Sequence, residues 1–198
     1  MVKEAEDTIR GYRDVGIRVA YSPPFIDQNQ LVYEDAPAFI ASLPEELREL
    51  ACPFAVTDIL DQQTYIDKWI RLYQDFHDNQ EHLIKINSNP VGGQWVSDEM
   101  LLKLVELAVE HKTQMQMHLL ETSHQQLYAQ RKWGKSFVQH LDEIGVLGPW
   151  LTVAHMVHVD LDDLPVVAAR SVGIASNPSS NLRLRSGIAP LARMQDAG

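Results

Sequence analysis

In Met117-His118-Leu119-Leu120-Glu121 a histidine and a glutamate sit three residues apart at the end of an apolar run. A second apolar run, Thr152-Val153-Ala154-His155, also ends in a histidine. A neutral imidazole binds a divalent metal through a ring nitrogen, and such a metal brings water toward a neutral pKa. A carboxylate beside it can take a proton from that water and hand it to a leaving group. These residue types together outline a hydrolase. Both runs read as strands, and each is followed by a helical pattern. Strand ends that feed helices open at one rim of a βα-repeat protein, so His118, Glu121 and His155 are expected to meet there.

The elements that must position these residues alternate along the chain. Residues 2–15 carry Ile9, Tyr12 and Arg13 at helical spacing, stopped by Gly16. Residues 17–21 form a short β-rich run ending at Ser22-Pro23-Pro24. Residues 25–60 read as irregular, with a short helix over 45–51 behind Pro44, and form a loop long enough to cover a site. Residues 64–77 predict an amphipathic helix with Trp69, Ile70, Tyr73 and Phe76 on one side. A strand over 83–86 leads to a loop over 87–93, and Ser97 caps a helix running to about His111. A strand over 114–120 precedes a helix over 122–144 broken near Gly134, and a strand over 151–155 precedes a helix over 160–170. A strand over 172–175 and a helix over 188–197 complete five β-then-α units. Such alternation implies a parallel sheet with helices outside it.

Strand parity sharpens this. Gln116 and His118 share one face of their strand, opposite Met115, Met117 and Leu119, while Lys85 and Asn87 oppose Ile84 and Ile86. A sheet covered by apolar helices on both faces would not hold Lys85 or Gln116, whereas a barrel interior opening onto a polar site would. The reading is therefore an α/β barrel.

A chain of 198 residues, 45% hydrophobic and 22% charged, is a single ordinary globular domain over residues 1–198. A net charge of −10 repels phosphate backbones and anionic lipid, so neither nucleic acid nor a membrane surface is expected as a partner. The single Cys52 excludes an internal disulfide framework and a thiolate metal cluster. That cysteine usage, with no apolar stretch of spanning length and no signal-peptide core near Met1, leads to a cytoplasmic expectation.

Three ordered motifs add a resemblance. Met117 to Thr122, Ala154-His155-Met156-Val157-His158, and Asn177-Pro178-Ser179-Ser180-Asn181-Leu182-Arg183-Leu184 resemble the metal-dependent amidohydrolase superfamily. The branch is that of the cytosine, guanine and adenosine-derivative deaminases and the triazine hydrolases. The resemblance implies a TIM-type (β/α)8 barrel holding one divalent ion, zinc or iron. Its metal ligands are a His-x-His pair from the first strand, a histidine from the fifth and an aspartate from the eighth. Carried over, His118 is the fifth-strand ligand, Glu121 shuttles a proton from the attacking water to the leaving nitrogen, and His155 orients or polarises that water. By this alignment the chain holds the third to seventh strands. It contains no His-x-His, and it stops before the expected eighth strand. The remaining strands are then supplied by further segments, or the open edges associate into a homo-oligomer.

Each residue also has a plain structural reading. A strand-end histidine is commonly a hydrogen-bonded core residue, and an acid at Glu121 complements a helix N-terminus. By parity His158 faces away from His155 unless the chain turns first; it is assigned to the substrate side or to support of the other histidines. Asn177 and Asn181 are assigned to the substrate pocket, although Asn-Pro-Ser-Ser is also an ordinary turn. The acids Asp160, Asp162 and Asp163 read as a cap and solvated first turn of a helix, and Trp69, Trp133 and Met115 as core. Lys85 falls on the fourth strand, where dinuclear members of the superfamily use a carboxylated lysine. However, the His-x-x-Glu pattern belongs to mononuclear deaminases, so Lys85 is read as an interior lysine. The expected reaction is hydrolysis of a non-peptide carbon–nitrogen bond that releases ammonia from a small heterocyclic substrate. Hydrolytic displacement of chloride or an alkylamine from a triazine-like ring remains open, as does an inactive scaffold lacking most ligands. Specificity would lie in residues 25–60, residues 87–94 and the early strands.

Overall fold

The computed structural model describes residues 2–29, 31, 33–55, 60–77 and 83–198. Helix α1 (Val2–Asp14) leads through Gly16, at φ +70°, into β1 (Val19–Tyr21) and β2 (Pro24–Phe25). Helices α2 (Ala36–Ser42), α3 (Glu45–Ala55) and α4 (Gln62–Phe76) follow, then β3 (Ile84–Ile86), β4 (Asn89–Pro90) and α5 (Asp98–His111). Strand β5 (Met115–Leu119) leads to α6 (Ser123–Trp133) and α7 (Phe137–Glu143), and β6 (Leu151–His155) to a 3-10 turn (Leu161–Asp163) and α8 (Leu164–Ala169). Strand β7 (Gly173–Ala175), α9 (Pro178–Arg183) and α10 (Leu191–Ala197) complete the order.

All strand pairs are parallel: β1 with β3, β2 with β4, and β5 with β6 with β7. Bridges Ser88–Met115 and Gly92–His118 join the second pair of segments to β5. The parity reading holds. Ile84, Ile86, Met115, Met117, Leu119, Leu151 and Val153 are buried beneath Trp69 and Leu72 of α4, Met100, Leu101 and Leu104 of α5, and Val138 and Leu141 of α7. The other face carries Ala20, Lys85, Gln116, His118, Thr152, Ala154, Gly173 and Ala175, and Ala20, Gln116, Gly173 and Ala175 on it are exposed. The residues on that face are small or polar, whereas those on the opposite face are large and apolar.

Helix boundaries follow local chemistry. Asp61 accepts from Thr64 N to start α4, and Trp69 is 1% exposed with its Nε1 donating to Asn87 O at 2.9 Å. Ser97 caps α5 and is itself clamped by Asp27, whose carboxylate accepts from Ser97 N at 2.7 Å and Ser97 Oγ at 2.6 Å. The break between α6 and α7 falls at Gly134, φ +69°, and Ser136 with Gln139 forms a capping box for α7.

Three expectations need correction. Residues 25–60 hold more helix than expected: the helix expected over 45–51 is present as α3 and runs on to Ala55, and α2 precedes it, with Asp35 capping α2 through Ala38 N and Pro37 in its first turn. Residues 30, 32 and 56–59 of that stretch lie outside the described residues. The segment from Asn177 is the helix α9 rather than a turn, because Pro178 presets φ at the first helical position. Asp163 is not solvated: it is 2% exposed and accepts from Gln139 Nε2 at 3.1 Å.

Burial, aided by the nearby Asp160 and Asp162 carboxylates, pushes the Asp163 carboxyl up from its ordinary value, against hydrogen bonds from Ser136 and Gln139. Its Oδ2 is buried without a partner. A carboxyl that holds its proton more tightly folded than unfolded loses stability as pH rises from the unfolded pKa, about 4, through the folded one. Asp163→Asn keeps the acceptor for Gln139 and removes that loss. Its urea midpoint is therefore expected to improve relative to the native protein as pH rises from about 3.5 to 7. A difference that does not change with pH would contradict this.

Candidate active site

His118 lies on the open face near the end of β5, and its backbone N and ring Nδ1 lie 3.0 and 2.6 Å from Val91 O, just after β4. A carbonyl oxygen can only accept, so Nδ1 carries the proton and Nε2 keeps its lone pair. This is the arrangement in which metal-ligating imidazoles are held, with one nitrogen pinned and the other presented.

Simple alternation would turn Glu121 away from His118. Leu120, however, adopts φ +52°, left-handed backbone that a leucine takes only when its surroundings impose it. Here Met156 N donates to Leu119 O at 3.0 Å and His158 N to Leu120 O at 2.9 Å, tying the ends of β5 and β6 together. The Glu121 N–H is taken up by Gln125 Oε1 at 2.9 Å, one turn into α6. At the neighbouring strand end, His155 has φ +78° and Met156 φ +50°. Three consecutive-strand positions in left-handed backbone, at a cost of roughly 1–3 kcal/mol each, are concentrated where the chemistry-bearing side chains converge.

The result is compact. The His118 and His155 rings stack with centroids 5.4 Å apart and planes 21° apart. His155 Nε2 lies 3.8 Å from Glu121 Oε1, with their side chains 5% and 18% exposed. On its far side His155 Nδ1 meets Asn181 Oδ1 at 2.7 Å. His118, Glu121, His155 and Asn181 are thus brought together. Asn181 sits behind His155, 1% exposed, rather than in open pocket. Asn177 stands at the N-cap of α9 with its Oδ1 buried and unpartnered. His158 follows the turn after β6, its Nε2 donating to Ser186 O at 2.9 Å.

Val91 and Gln125, which hold His118 and Glu121, were not evident as functional positions from sequence. A backbone carbonyl leaves no side-chain signal. Gln125, four residues after Glu121, had the one cue of a helical-turn spacing. A separate cavity of about 820 Å³ is lined in part by Asn29, Tyr33 and Phe39 on one side and Thr122, Tyr128 and Arg131 on the other. Thr122 follows Glu121 in the chain, but neither histidine nor Glu121 lines that cavity. Among the described residues, no group of three or more His, Cys, Asp or Glu side chains is arranged to hold a metal ion. One pinned imidazole is nevertheless the donor type that zinc accepts. Among the described residues no helix is long and apolar enough to cross a membrane.

Similarity to known proteins agrees with this geometry. The 5-methylthioadenosine/S-adenosylhomocysteine deaminase of Desulforamulus reducens is 38% identical over 100 residues, covering 50% of this chain and 23% of that protein. The structure resembles a triazine hydrolase from Arthrobacter aurescens with TM-score 0.79 and 18% identity, and a zinc-bound adenosine deaminase from Xanthomonas campestris with TM-score 0.75 and 21% identity. In both cases 98% of this chain matches 38% of the other, so it spans well under half the length of its relatives. At such identities the structures carry the fold alone, the TIM-type barrel. The model of the amidohydrolase family matches residues 2–198, and the chain belongs to that family.

Proposed function

We propose that this chain forms the third to seventh strands of an eight-stranded barrel in a longer cytoplasmic protein, a divalent-metal-dependent aminohydrolase. Its substrate is an amino-substituted nitrogen heterocycle of the adenosine-derivative class. The observation that carries the proposal is the convergence of two histidines and a glutamate, with both Nδ1 atoms tied down and His155 Nε2 3.8 Å from Glu121. The deaminase named above, 38% identical, supports the amine rather than chloride as leaving group.

A divalent ion, zinc by analogy, supplies Lewis acidity and brings water toward a neutral pKa when bound. His118 Nε2 would be one ligand, and the other ligands would come from strands outside this chain. Glu121 takes a proton as the water oxygen bonds to the ring carbon bearing the amino group. It then returns that proton to the departing nitrogen, the carbon–nitrogen bond breaks and ammonia leaves, while the second water proton passes from the new hydroxyl to the adjacent ring nitrogen as the ring carbonyl forms. His155 Nε2 accepts a hydrogen bond from the attacking water and fixes its direction. His158 and Asn177 stand at the two strand ends beyond His155 and would face the heterocycle, with Asn181 behind. An amine leaving group needs the proton that Glu121 returns, whereas chloride does not.

The test is ammonia release by the intact, zinc-loaded protein from 5-methylthioadenosine, set against chloride release from a chlorotriazine. Ammonia from the nucleoside is the expected result. Chloride release alone would replace deamination by displacement.

The strand assignment has its own consequence. The open face around Gln116 and Ala20 would be covered in a closed barrel. The isolated 198-residue chain is therefore expected to scatter light as a homo-oligomer or aggregate and to exchange the β1 and β7 amides rapidly. A monodisperse, well-protected single chain would refute it.

A further inference from the structure

The role proposed for His155 requires a lone pair on Nε2, and which ring nitrogen carries the proton is decided on the opposite side of the ring. We infer that Asn181 is the positioning residue that holds His155 in its Nδ1-protonated tautomer, so that Nε2 faces Glu121 as an acceptor. This rests on the reading of His155 given above.

Four observations carry it. Asn181 Oδ1 lies 2.7 Å from His155 Nδ1, and the two residues are 1% and 4% exposed, so water does not compete for either atom. The Asn181 backbone is fixed at both ends, since its main-chain N–H donates to Asn177 O at 2.9 Å and its main-chain carbonyl accepts from Ser186 N at 2.8 Å. The left-handed backbone at His155, φ +78°, sets the ring with Nδ1 toward α9 and Nε2 toward Glu121. Finally, the 3.8 Å between Nε2 and Glu121 Oε1 is too long for a direct hydrogen bond. An oxygen at about 2.8 Å from each would touch both, which suits a shared water.

With Oδ1 where it stands, the opposite tautomer would set an Nδ1 lone pair against it and aim an N–H at the Glu121 carboxylate. It would tie the proton shuttle to the histidine and remove the acceptor. Loss of one buried hydrogen bond disfavours that state by roughly tenfold. Asn181 touches neither water nor substrate in this arrangement, and acts through His155 alone.

The test uses the intact enzyme with Asn181→Leu, which keeps the branched shape at somewhat greater bulk and removes the acceptor. Nitrogen-15 spectra of labelled histidine should give His155 a protonated Nδ1 and an unprotonated Nε2 in the native protein. In the variant the two nitrogens should become mixed or exchanged. Turnover should fall roughly 10- to 100-fold in kcat, with KM within about threefold and bound metal unchanged, as expected for a residue outside the metal and substrate shells. If Asn181→Leu does not fold, Asn181→Ala gives the same readout through a cavity rather than a bulkier apolar group. An unchanged His155 tautomer in the folded variant overturns the assignment. His155→Gln separates this from failure of the underlying reading. Near-native turnover in that variant would remove His155 from the reaction. Loss of turnover there, with an unchanged tautomer in the Asn181 variant, would overturn the role of Asn181 alone.

Discussion

Replacing Glu121 by glutamine is expected to leave a folded, metal-loaded protein that has lost most of its turnover. The substitution preserves size and shape, and the backbone N–H that anchors the residue to Gln125 Oε1 is untouched. The Glu121 side chain is largely buried, 18% exposed, and glutamine fills the same space. What disappears is the ability to accept a proton and return it. Removing a positioned acid–base group lowers kcat by on the order of 10²- to 10⁴-fold. Here both transfers pass through one carboxylate, which places the expected loss toward the upper part of that range. Steady-state ammonia release, with metal content and thermal midpoint measured alongside, checks it. A variant that keeps near-native turnover would put the proton shuttle elsewhere.

His118→Ala is expected to act on the metal rather than on the fold. The imidazole is half-buried on the open face and contributes little to the core, which lies on the opposite face of β5. Its pinned Nδ1 makes Nε2 a directed donor at no further ordering cost. Outer partners of metal ligands are worth 10- to 100-fold in affinity, and a direct ligand is worth at least that. In the intact protein the variant should therefore weaken metal binding by more than about 10²-fold and fall below stoichiometric content after dialysis. Elemental analysis checks this, and full metal content would remove His118 from the ligand set.

The pattern that points to these residues was legible because it depends on local rules. Alternation along β5 separated Gln116 and His118 from Met115, Met117 and Leu119, and the structure keeps that division. Ser97 and Gly134 were legible for the same reason, since capping is settled within one turn. What escaped was set by distant contacts. Nothing local marks Leu120 for φ +52°; the amides of Met156 and His158, just after β6, impose it. The partner of Asn181 was hidden because it comes from another unit of the fold, although Asn177-Pro178 already signalled the start of a helix. The start of α2 is signalled only by Asp35 and Pro37, within a stretch rich in charge and proline.

A crystal structure of the intact, zinc-loaded protein tests the central claim most directly. His118 Nε2 is expected at about 2.0–2.1 Å from the ion. Glu121 should lie outside the ligand set, with a carboxylate oxygen within about 3 Å of a water shared with His155 Nε2. An ion held without His118, or Glu121 and His155 pointing away from it, would contradict the account.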